Sequence, residues 1–474
     1  MAGAAGAAVR PSVTEQGSAD ERIIFGDALA VAQSLHAEGL TGKVDLAYID
    51  PPFASQADYV SEARLDGPAD GRVVRSHAYV DTWSTSANGI TGYLEALAPA
   101  LESLASLISG TGTLWVHLDW RAAYLARVLL DEILGRGAFM NEIVWKRAPN
   151  LGRQATSNQF GRTLDTLLVY GGPCATLIPP TRLEPIEVGT FRTDDEGRPF
   201  TTAPRGDYTD ASIAKLEKQG RVHRTSTGRV YIEYFLVKNA EGVLCRERRV
   251  DALWTDVPPL RHSPPSERTG YPTQKPRALL ERIIACASPP GGLVVDLFSG
   301  SGTTGEAARA LGRKFVLGDA GAAAIATSRA RLLRASGSPR IEQCGEGAAP
   351  AGEAPRIALR RVSPDRVAIE LVAPLEPLAW AVDPAYREGA PFTRAWHSER
   401  APGKKSVPAL READVQVEPG KDAAVRVFGD DGSIATLVIA AKEINSALRV
   451  AVPAATAEAL PARGQQLQLS KVRP

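Results

Sequence analysis

Cysteine is scarce in this chain of 474 residues, which contains only four copies. Their positions lie far apart and lack the close spacing of a metal site, so no metal is expected. A chain with few cysteines suits a reducing compartment, which predicts a cytoplasmic location. The positions are Cys174, Cys245, Cys286 and Cys344.

Long hydrophobic runs are also missing, so the sequence predicts no membrane-spanning segment and no membrane partner. The first twenty residues are rich in alanine and glycine. They lack the basic start and the bulky apolar stretch of a secretory signal. We therefore expect residues 1–20 to be disordered.

Net charge is nearly absent, because 55 basic side chains balance 54 acidic ones. Any surface that binds nucleic acid must then be a local patch. Residues 205–249 supply one, in which ten Lys and Arg face six acids and alternate with tyrosine and phenylalanine. A small solvated subdomain is the alternative interpretation. The arginines that we expect at a DNA surface are Arg221, Arg224, Arg229, Arg246, Arg248 and Arg249.

Residues 50–53 (Asp-Pro-Pro-Phe) follow an apolar run at 44–49 that predicts a buried strand. The two prolines end the strand and hold Asp50 at its carboxyl edge, where open α/β sheets place their ligands. A carboxylate beside a bare carbonyl accepts hydrogen bonds from an amino group, and Phe53 offers a face for a planar ring. The motif predicts a site for the amino edge of a nucleobase. An ordinary strand-ending turn is the alternative.

A second motif lies far along the chain, where a short apolar strand at 293–298 runs into the glycine-rich segment 299–305. Glycines allow close backbone approach, and the following helix start presents free N–H groups to a cofactor. The spacing matches the weak G-x-G-x-x-G pattern of dinucleotide-binding proteins. However, Asp296 precedes the glycines, and the next strand ends in Asp319, which suits ribose hydroxyls. These features fit S-adenosylmethionine at least as well as NAD.

These two motifs and residues 271–276 (Tyr-Pro-Thr-Gln-Lys-Pro) occur in the order of a known family. The chain resembles the β-class amino-directed DNA methyltransferases of restriction-modification systems, in which the catalytic motif precedes the cofactor motif. The likeness extends over roughly residues 21–335. It departs from the family pattern at Leu297, where proline is usual, and at Leu164, where histidine is usual.

The resemblance implies methyl transfer from S-adenosylmethionine to N6 of an adenine flipped out of double-stranded DNA. The implied catalytic residues are Asp50, Pro51, Pro52 and Phe53. Asp319 would hold the ribose hydroxyls, Asp27 the adenine amine, and Thr273 and Lys275 the carboxylate end of the cofactor. The remaining implied cofactor residues are Asp296, Phe298, Gly300, Gly302 and Thr303.

The predicted fold class is α/β, a permuted Rossmann-like methyltransferase sheet with an inserted target recognition region and a β-rich C-terminal domain. Residues 53–92 show no periodicity and predict a flexible flap over DNA, with a passive surface insertion as the alternative. His117 in a core strand is interpreted as structural. The predicted boundaries are 21–174 for the catalytic half, 175–268 for target recognition, 269–335 for the cofactor half, 336–355 for a linker and 356–474 for the C-terminal domain.

Other functions stay open at the level of sequence. Methylation of cytosine N4 uses the same acceptors, although family members with that activity more often carry serine in place of Asp50. A non-catalytic DNA-binding subunit is a second alternative. The Pro-Cys pair at 173–174 is reminiscent of cytosine-C5 methyltransferases but has no accompanying motif. A homodimer and a restriction subunit are both open as partners.

Overall fold

The computed structural model describes residues 10–55, 57–65, 72–81, 89–151, 158–187, 189–345, 349–374, 377–401, 408–447 and 472–473. The chain divides into two compact units. The first comprises Met1–Leu177 and Trp254–Pro474, and the second comprises Ile178–Leu253.

A mixed sheet of ten strands forms the centre of the first unit, in the order β1-β18-β2-β17-β16-β3-β6-β8-β7-β15. The strands are β1 (Ser12–Glu15), β2 (Ser18–Phe25), β3 (Val44–Ile49), β6 (Ile108–Leu118), β7 (Phe139–Lys146), β8 (Leu164–Gly171), β15 (Leu253–Trp254), β16 (Leu293–Asp296), β17 (Lys314–Asp319) and β18 (Pro339–Gln343). The helices are α1 (Ala28–Ala37), α2 (Gly89–Leu107), α3 (Ala123–Leu134), α5 (Arg277–Ala287), α6 (Thr303–Ala310) and α7 (Ala322–Arg334). A hairpin of β4 (Ala57–Leu65) and β5 (Arg72–Asp81) lies outside the sheet.

The central strands are apolar because they are buried between layers of helix. Side chains of β3, β6 and β16 pack in one core with the apolar faces of α1, α2 and α3. The late strand β16 lies between the early strand β3 and β17, and both pairings are parallel. This order brings the two halves of the sequence together at one sheet edge.

The second unit is an antiparallel sheet with one helix. Its strand order is β10-β11-β13-β14-β9, with β12 paired to β13. The elements are β9 (Thr181–Pro185), β10 (Arg192–Thr193), β11 (Pro199–Pro204), α4 (Asp210–Glu217), β12 (Val222–Arg224), β13 (Val230–Lys238) and β14 (Leu244–Arg249). This compact unit is shorter than the predicted recognition region of 175–268.

The C-terminal region consists of two antiparallel sheets that share one hydrophobic core. One sheet contains β19 (Arg356–Ser363), β20 (Arg366–Ala373) and β23 (Glu412–Gln416). The other contains β21 (Ala379–Tyr386), β22 (Trp396–Glu399), β24 (Asp422–Phe428), β25 (Ile434–Ile439) and β26 (Val472–Arg473), and α8 (Ala441–Ser446) follows β25. The predicted α/β class and the β-rich C-terminal region are confirmed.

Three predictions about irregular segments are wrong in part. Disorder was expected for residues 1–20, but β1 and β2 begin within them; residues 1–9 lie outside the described part. The expected linker 336–355 contains β18, which pairs in parallel with β2. The expected flap at 53–92 contains the β4–β5 hairpin, whose tip, residues 66–71, lies outside the described part, as do residues 82–88.

Within the described residues, no helix combines the length and the apolar character needed to cross a membrane.

Candidate active site

Carboxylates stand at the ends of neighbouring strands of the central sheet. Asp50 follows β3, Asp296 ends β16 and Asp319 ends β17. These three strands are adjacent and parallel, so their carboxyl ends meet at one edge. Asp27 follows β2, which pairs with β17. Four acids from distant parts of the sequence thus converge at this edge.

A cavity of about 770 Å³ opens at this edge. Most of the sequence-predicted catalytic and cofactor residues line it: Asp27, Asp50, Pro51, Pro52, Thr273, Lys275, Asp296, Phe298, Gly300, Thr303 and Asp319. Phe53 and Gly302 are not in its lining. Phe53 stands beside it, because the Lys275 ammonium lies 5.1 Å from the centre of its ring. Gly302 instead packs against Ser328 of α7.

The conformation of the glycine-rich turn depends on two glycines with positive φ and on a hydrogen bond to Asp319 at the end of β17. Gly300 has φ of 49° and Gly302 has φ of 74°, a region that disfavours other residues. A Cβ atom on Gly302 would lie 2.7 Å from Ser328 Oγ. The N–H of Gly300 donates to Asp319 Oδ2 at 2.8 Å. The turn therefore approaches helix α7 as closely as a backbone without side chains can.

Asp296 is deeply buried and Asp319 is half-buried, and both accept hydrogen bonds. The N–H of Phe298 and the hydroxyl of Thr304 donate to Asp296 at 3.0 and 2.5 Å. Burial raises the pKa of Asp296 to about 7, despite these bonds. Burial also raises the pKa of Asp319 to about 6. A bound cation would offset this cost of ionisation, so the acid-rich cavity suits a positively charged sulfonium cofactor.

The turn after β3 is held by a residue that sequence reasoning missed. Asp81, buried at the end of β5, accepts from the N–H groups of Phe53 and Ser55 at 3.1 and 2.8 Å. The Ser55 hydroxyl also donates to it, at 2.7 Å. Ala54 between them has φ of 56°. The β4–β5 hairpin thus fixes the backbone that carries Phe53, and its polar sequence gave no signal of this role.

Asp50 uses only one of its carboxylate oxygens in a hydrogen bond within the described residues. The Lys275 ammonium donates to Oδ2, whereas Oδ1 is buried and has no partner there. Lys275 was expected at the carboxylate end of the cofactor, but the structure brings it to Asp50. Within the described part of the chain, Asp50 therefore has a spare acceptor at the cavity.

A buried polar chain lies behind Phe53. Tyr48 Oη and His117 Nδ1 are 2.9 Å apart, and His117 Nε2 lies 3.2 Å from Asp165 Oδ2. The ring centres of His117 and Phe53 are 6.0 Å apart. Burial acts to raise the pKa of Asp165, but the hydrogen bond of His117 and nearby cations bring it below its usual value. His117 therefore lies near the ring of Phe53 on the core side and does not line the cavity.

The six arginines expected at a DNA surface differ in their surroundings within the second unit. Arg224 and Arg248 form ion pairs with Glu217 and Glu184, each at 3.1 Å. The guanidinium carbons of Arg221 and Arg246 lie 5.5 and 3.7 Å from the centre of the Tyr234 ring. Arg229 and Arg249 are exposed and, within the described residues, form no ion pair.

Comparisons with known proteins identify related sequences. A model of the N6/N4 methyltransferase family, described as DNA methylase, matches residues 44–328, more than half of the chain. The chain is similar to the type II methyltransferase M.EcaI of Enterobacter cloacae, with 27% identity over 320 residues, 62% of this chain and 65% of that protein. It is also similar to the Mod subunit of the type III restriction-modification enzyme StyLTI of Salmonella typhimurium, with 25% identity over 358 residues.

The second match covers 63% of this chain and 51% of the Mod subunit, so this chain spans less than two thirds of either curated relative. Among solved structures, the M1.HpyAVI-SAM complex has a TM-score of 0.37 and 17% sequence identity, over 66% of this chain and 98% of that one. The match of the family model includes Asp50, Thr273, Lys275, Asp296 and Asp319.

Proposed function

Because the chain belongs to the N6/N4 DNA methylase family, as its resemblance predicted, we propose that it methylates N6 of adenine in double-stranded DNA. S-adenosylmethionine supplies the methyl group when it is bound. The observation that carries the proposal is the buried Oδ1 of Asp50, which has no partner within the described residues and belongs to a residue that lines the acid-rich cavity.

The exocyclic amine is a poor nucleophile because its lone pair is delocalised into the base. Asp50 Oδ1 and the Pro51 carbonyl oxygen each accept a hydrogen bond from one of its two N–H groups. Both bonds favour a pyramidal nitrogen. Asp81 holds the turn, so these acceptors are in place before the base arrives. Phe53 stacks on the ring of the base, and His117 lies on the core side of Phe53.

The target base must leave the duplex to reach this site, because its N6 atom is paired inside the helix. Flipping costs on the order of a few kcal/mol. Stacking on an aromatic side chain returns roughly 1 to 3 kcal/mol. The acceptors at Asp50 and Pro51 stabilise the flipped base further.

The cofactor residues divide along the cavity. Asp319 would accept from the ribose hydroxyls and Asp27 from the adenine amine, while Asp296, Phe298, Gly300 and Thr303 would form the wall along the methionine part. Gly302 permits the close approach of the turn to α7. The Lys275 ammonium donates to Asp50 Oδ2 and would hold this carboxylate for the base.

Adenine is the proposed target because an aspartate, not a serine, begins the catalytic motif. The second unit, 178–253, is the proposed reader of the DNA sequence. A restriction subunit and a second copy of the chain are the two partner hypotheses.

The test is Asp50→Asn, assayed for both methylation and cofactor affinity. We expect methylation to fall by about 10² or more, because an acceptor of the amine is replaced by a donor. Affinity for S-adenosylmethionine should stay within about threefold, a difference of under 1 kcal/mol, because Asp50 faces the base. Loss of both together would show that Asp50 belongs to the cofactor site. Mapping of modified bases in treated DNA separates N6-methyladenine from N4-methylcytosine.

A further inference from the structure

The C-terminal domain is fastened to the methyltransferase sheet by buried ion pairs. Glu15 of β1 accepts from Arg329 of α7 at 2.9 Å and also from Arg394 of the C-terminal domain. Arg329 and Glu15 are each only 2% exposed. The Phe392 N–H donates to the Thr14 carbonyl at 3.1 Å. Breaking this contact would leave buried charges without partners, so the domain has a fixed place on the sheet.

One turn of this domain reaches the cofactor cavity. Residues 429–433, the rim turn, connect β24 to β25 and are closed by the Gly429 N–H, which donates to the Ser433 carbonyl at 2.8 Å. Within the rim turn, Gly432 is buried and has φ of 79°. A Cβ atom there would lie 2.1 Å from the carbonyl carbon of Ala322. The backbone of the rim turn therefore touches the first residue of α7.

This contact is at the adenosine end of the cavity. Ala322 follows Asp319, the carboxylate proposed for the ribose hydroxyls, by three residues, and both line the cavity. Asp431 and Pro350 line it too, and they come from the C-terminal side of the chain. The Ile434 N–H donates to the Pro350 carbonyl at 2.9 Å, which ties these two segments together.

Asp431 is oriented by its own turn. Its Oδ1 accepts from the Ser433 N–H at 2.9 Å, and the residue is exposed at the cavity rim. A carboxylate in this position is an acceptor for hydroxyl or amino hydrogens of a nucleoside. The residue lies outside the stretch matched by the family model, which ends at residue 328.

We propose that the C-terminal domain completes the cofactor site, with the rim turn as its outer wall and Asp431 as a carboxylate that binds the nucleoside part of the cofactor. The proposal rests on the proposed function, since it takes the cofactor to be S-adenosylmethionine. It makes the C-terminal domain a part of the cofactor site rather than a separate accessory domain.

Two glycines offer a matched test of the rim turn. Gly432 and Gly420 lie in turns of the same domain with φ of 79° and 78°. A Cβ atom on Gly432 would strike Ala322, whereas one on Gly420 would meet nothing within 4 Å. Backbone strain is therefore alike in Gly432→Ala and Gly420→Ala, and only the first disturbs the cavity. Calorimetric titration with S-adenosylmethionine should show affinity about tenfold weaker for Gly432→Ala and unchanged for Gly420→Ala.

Asp431→Asn tests the carboxylate without disturbing the turn, because the asparagine oxygen can still accept from the Ser433 N–H. We expect affinity for S-adenosylmethionine and for S-adenosylhomocysteine to fall by a similar factor, about fivefold, since both share the nucleoside. A loss confined to S-adenosylmethionine would assign Asp431 to the sulfonium charge and overturn its placement.

The failure of this inference differs from the failure of the proposed function. If the unaltered protein does not bind S-adenosylmethionine, the proposed function fails and the inference with it. If the protein binds it, but Gly432→Ala equals Gly420→Ala and Asp431→Asn equals the unaltered protein, the C-terminal domain has no part in the site. Should Gly432→Ala not fold, Asp431→Asn alone decides.

Discussion

Lys275 places a cation next to the oxygen at which the target amine is proposed to bind. Its ammonium donates to Asp50 and lies 5.1 Å from the centre of the Phe53 ring, so it meets the same carboxylate and the same aromatic face as a base would. The ammonium also balances one negative charge in a cavity lined by five aspartates. It holds Asp50 Oδ2, whereas Oδ1 has no partner within the described residues.

Removing the Lys275 ammonium should weaken methylation more than cofactor binding. In Lys275→Met, Asp50 Oδ2 loses its donor, so the carboxylate is held less firmly in the site. We expect methylation to fall by about tenfold or more, with affinity for S-adenosylmethionine within about threefold of that of the unaltered protein. Lys275→Arg, which keeps a donor, should retain most of the activity. Loss of cofactor affinity in Lys275→Met, measured by calorimetric titration, would instead assign Lys275 to the cofactor site.

Cofactor affinity should rise with pH between about 5 and 8. The pKa values of Asp319 and Asp296 are raised by burial to about 6 and 7, so both are protonated at low pH and become anionic across this range. The anionic forms attract a sulfonium cation, so affinity should fall by up to about tenfold per pH unit below 7. In Asp296→Asn the upper part of this dependence should disappear. Calorimetric titration at several pH values measures it.

The same two groups should affect the stability of the cofactor-free protein in the opposite sense. Their folded-state pKa values are above those of an unfolded chain, so they stabilise the fold below about pH 4. That contribution is lost as pH rises through 6 and 7. Thermal unfolding with and without S-adenosylmethionine should show the largest stabilisation by the cofactor at alkaline pH.

Single residues were predictable from the sequence where a chemically suited side chain stands at the end of an apolar strand. Asp50, Asp296 and Asp319 each end an apolar strand, so their convergence at one sheet edge follows from parallel topology. Asp81 was not predictable, because its role depends on a hairpin fold that its polar sequence does not reveal. His117 was correctly assigned to the core, but its pairing with Asp165 joins residues 48 positions apart and has no local signal.

Among the elements, the glycine turn before α6 allows a second matched test. Gly302 and Gly291 have φ of 74° and 75°. A Cβ atom on Gly302 would lie 2.7 Å from Ser328 Oγ, whereas one on Gly291 would meet nothing within 4 Å. Alanine at either site should cost about 1 to 2 kcal/mol of unfolding free energy for the left-handed backbone.

Only the change at Gly302 should also weaken cofactor binding, since it pushes the turn away from α7. Chemical unfolding and calorimetric titration of the two variants provide the measurements. Equal cofactor affinity in Gly302→Ala and Gly291→Ala would show that the close approach to Ser328 is not needed for binding.

Strands β1 and β18, at one edge of the central sheet, were not predicted from the sequence because they contain buried charged residues. Strand β18 was expected to be a linker, yet its Glu342 is 2% exposed and pairs with Arg22 at 2.6 Å. In β1, Glu15 is equally buried and pairs with Arg329. A hydropathy pattern assigns such residues to the surface, since it cannot identify the partner that makes burial tolerable. The central strands, whose buried residues are mostly apolar, were predicted correctly because hydropathy identifies such strands directly.

At the scale of the whole molecule, a nearly neutral chain must concentrate its positive charge to bind DNA. The second unit carries the six arginines expected there, but the structure divides them by their partners. Arg248 already has Glu184 at 3.1 Å, whereas the neighbouring Arg249 is exposed and lacks an ion pair within the described part of the chain. Arg229 is exposed in the same way. These two have the most charge to offer a phosphate.

The final prediction therefore concerns the salt dependence of DNA binding. Replacing Arg229 and Arg249 together by glutamine should lower the slope of log affinity against log salt by about one per lost phosphate contact, while cofactor affinity stays unchanged. Arg248→Gln is the control within the unit and should change the slope less, because Glu184 partly neutralises that charge already. Arg356→Gln, an exposed arginine of the C-terminal domain, is the control outside it. If Arg356→Gln lowered the slope and the double variant did not, the electrostatic contact with DNA would belong to the C-terminal domain.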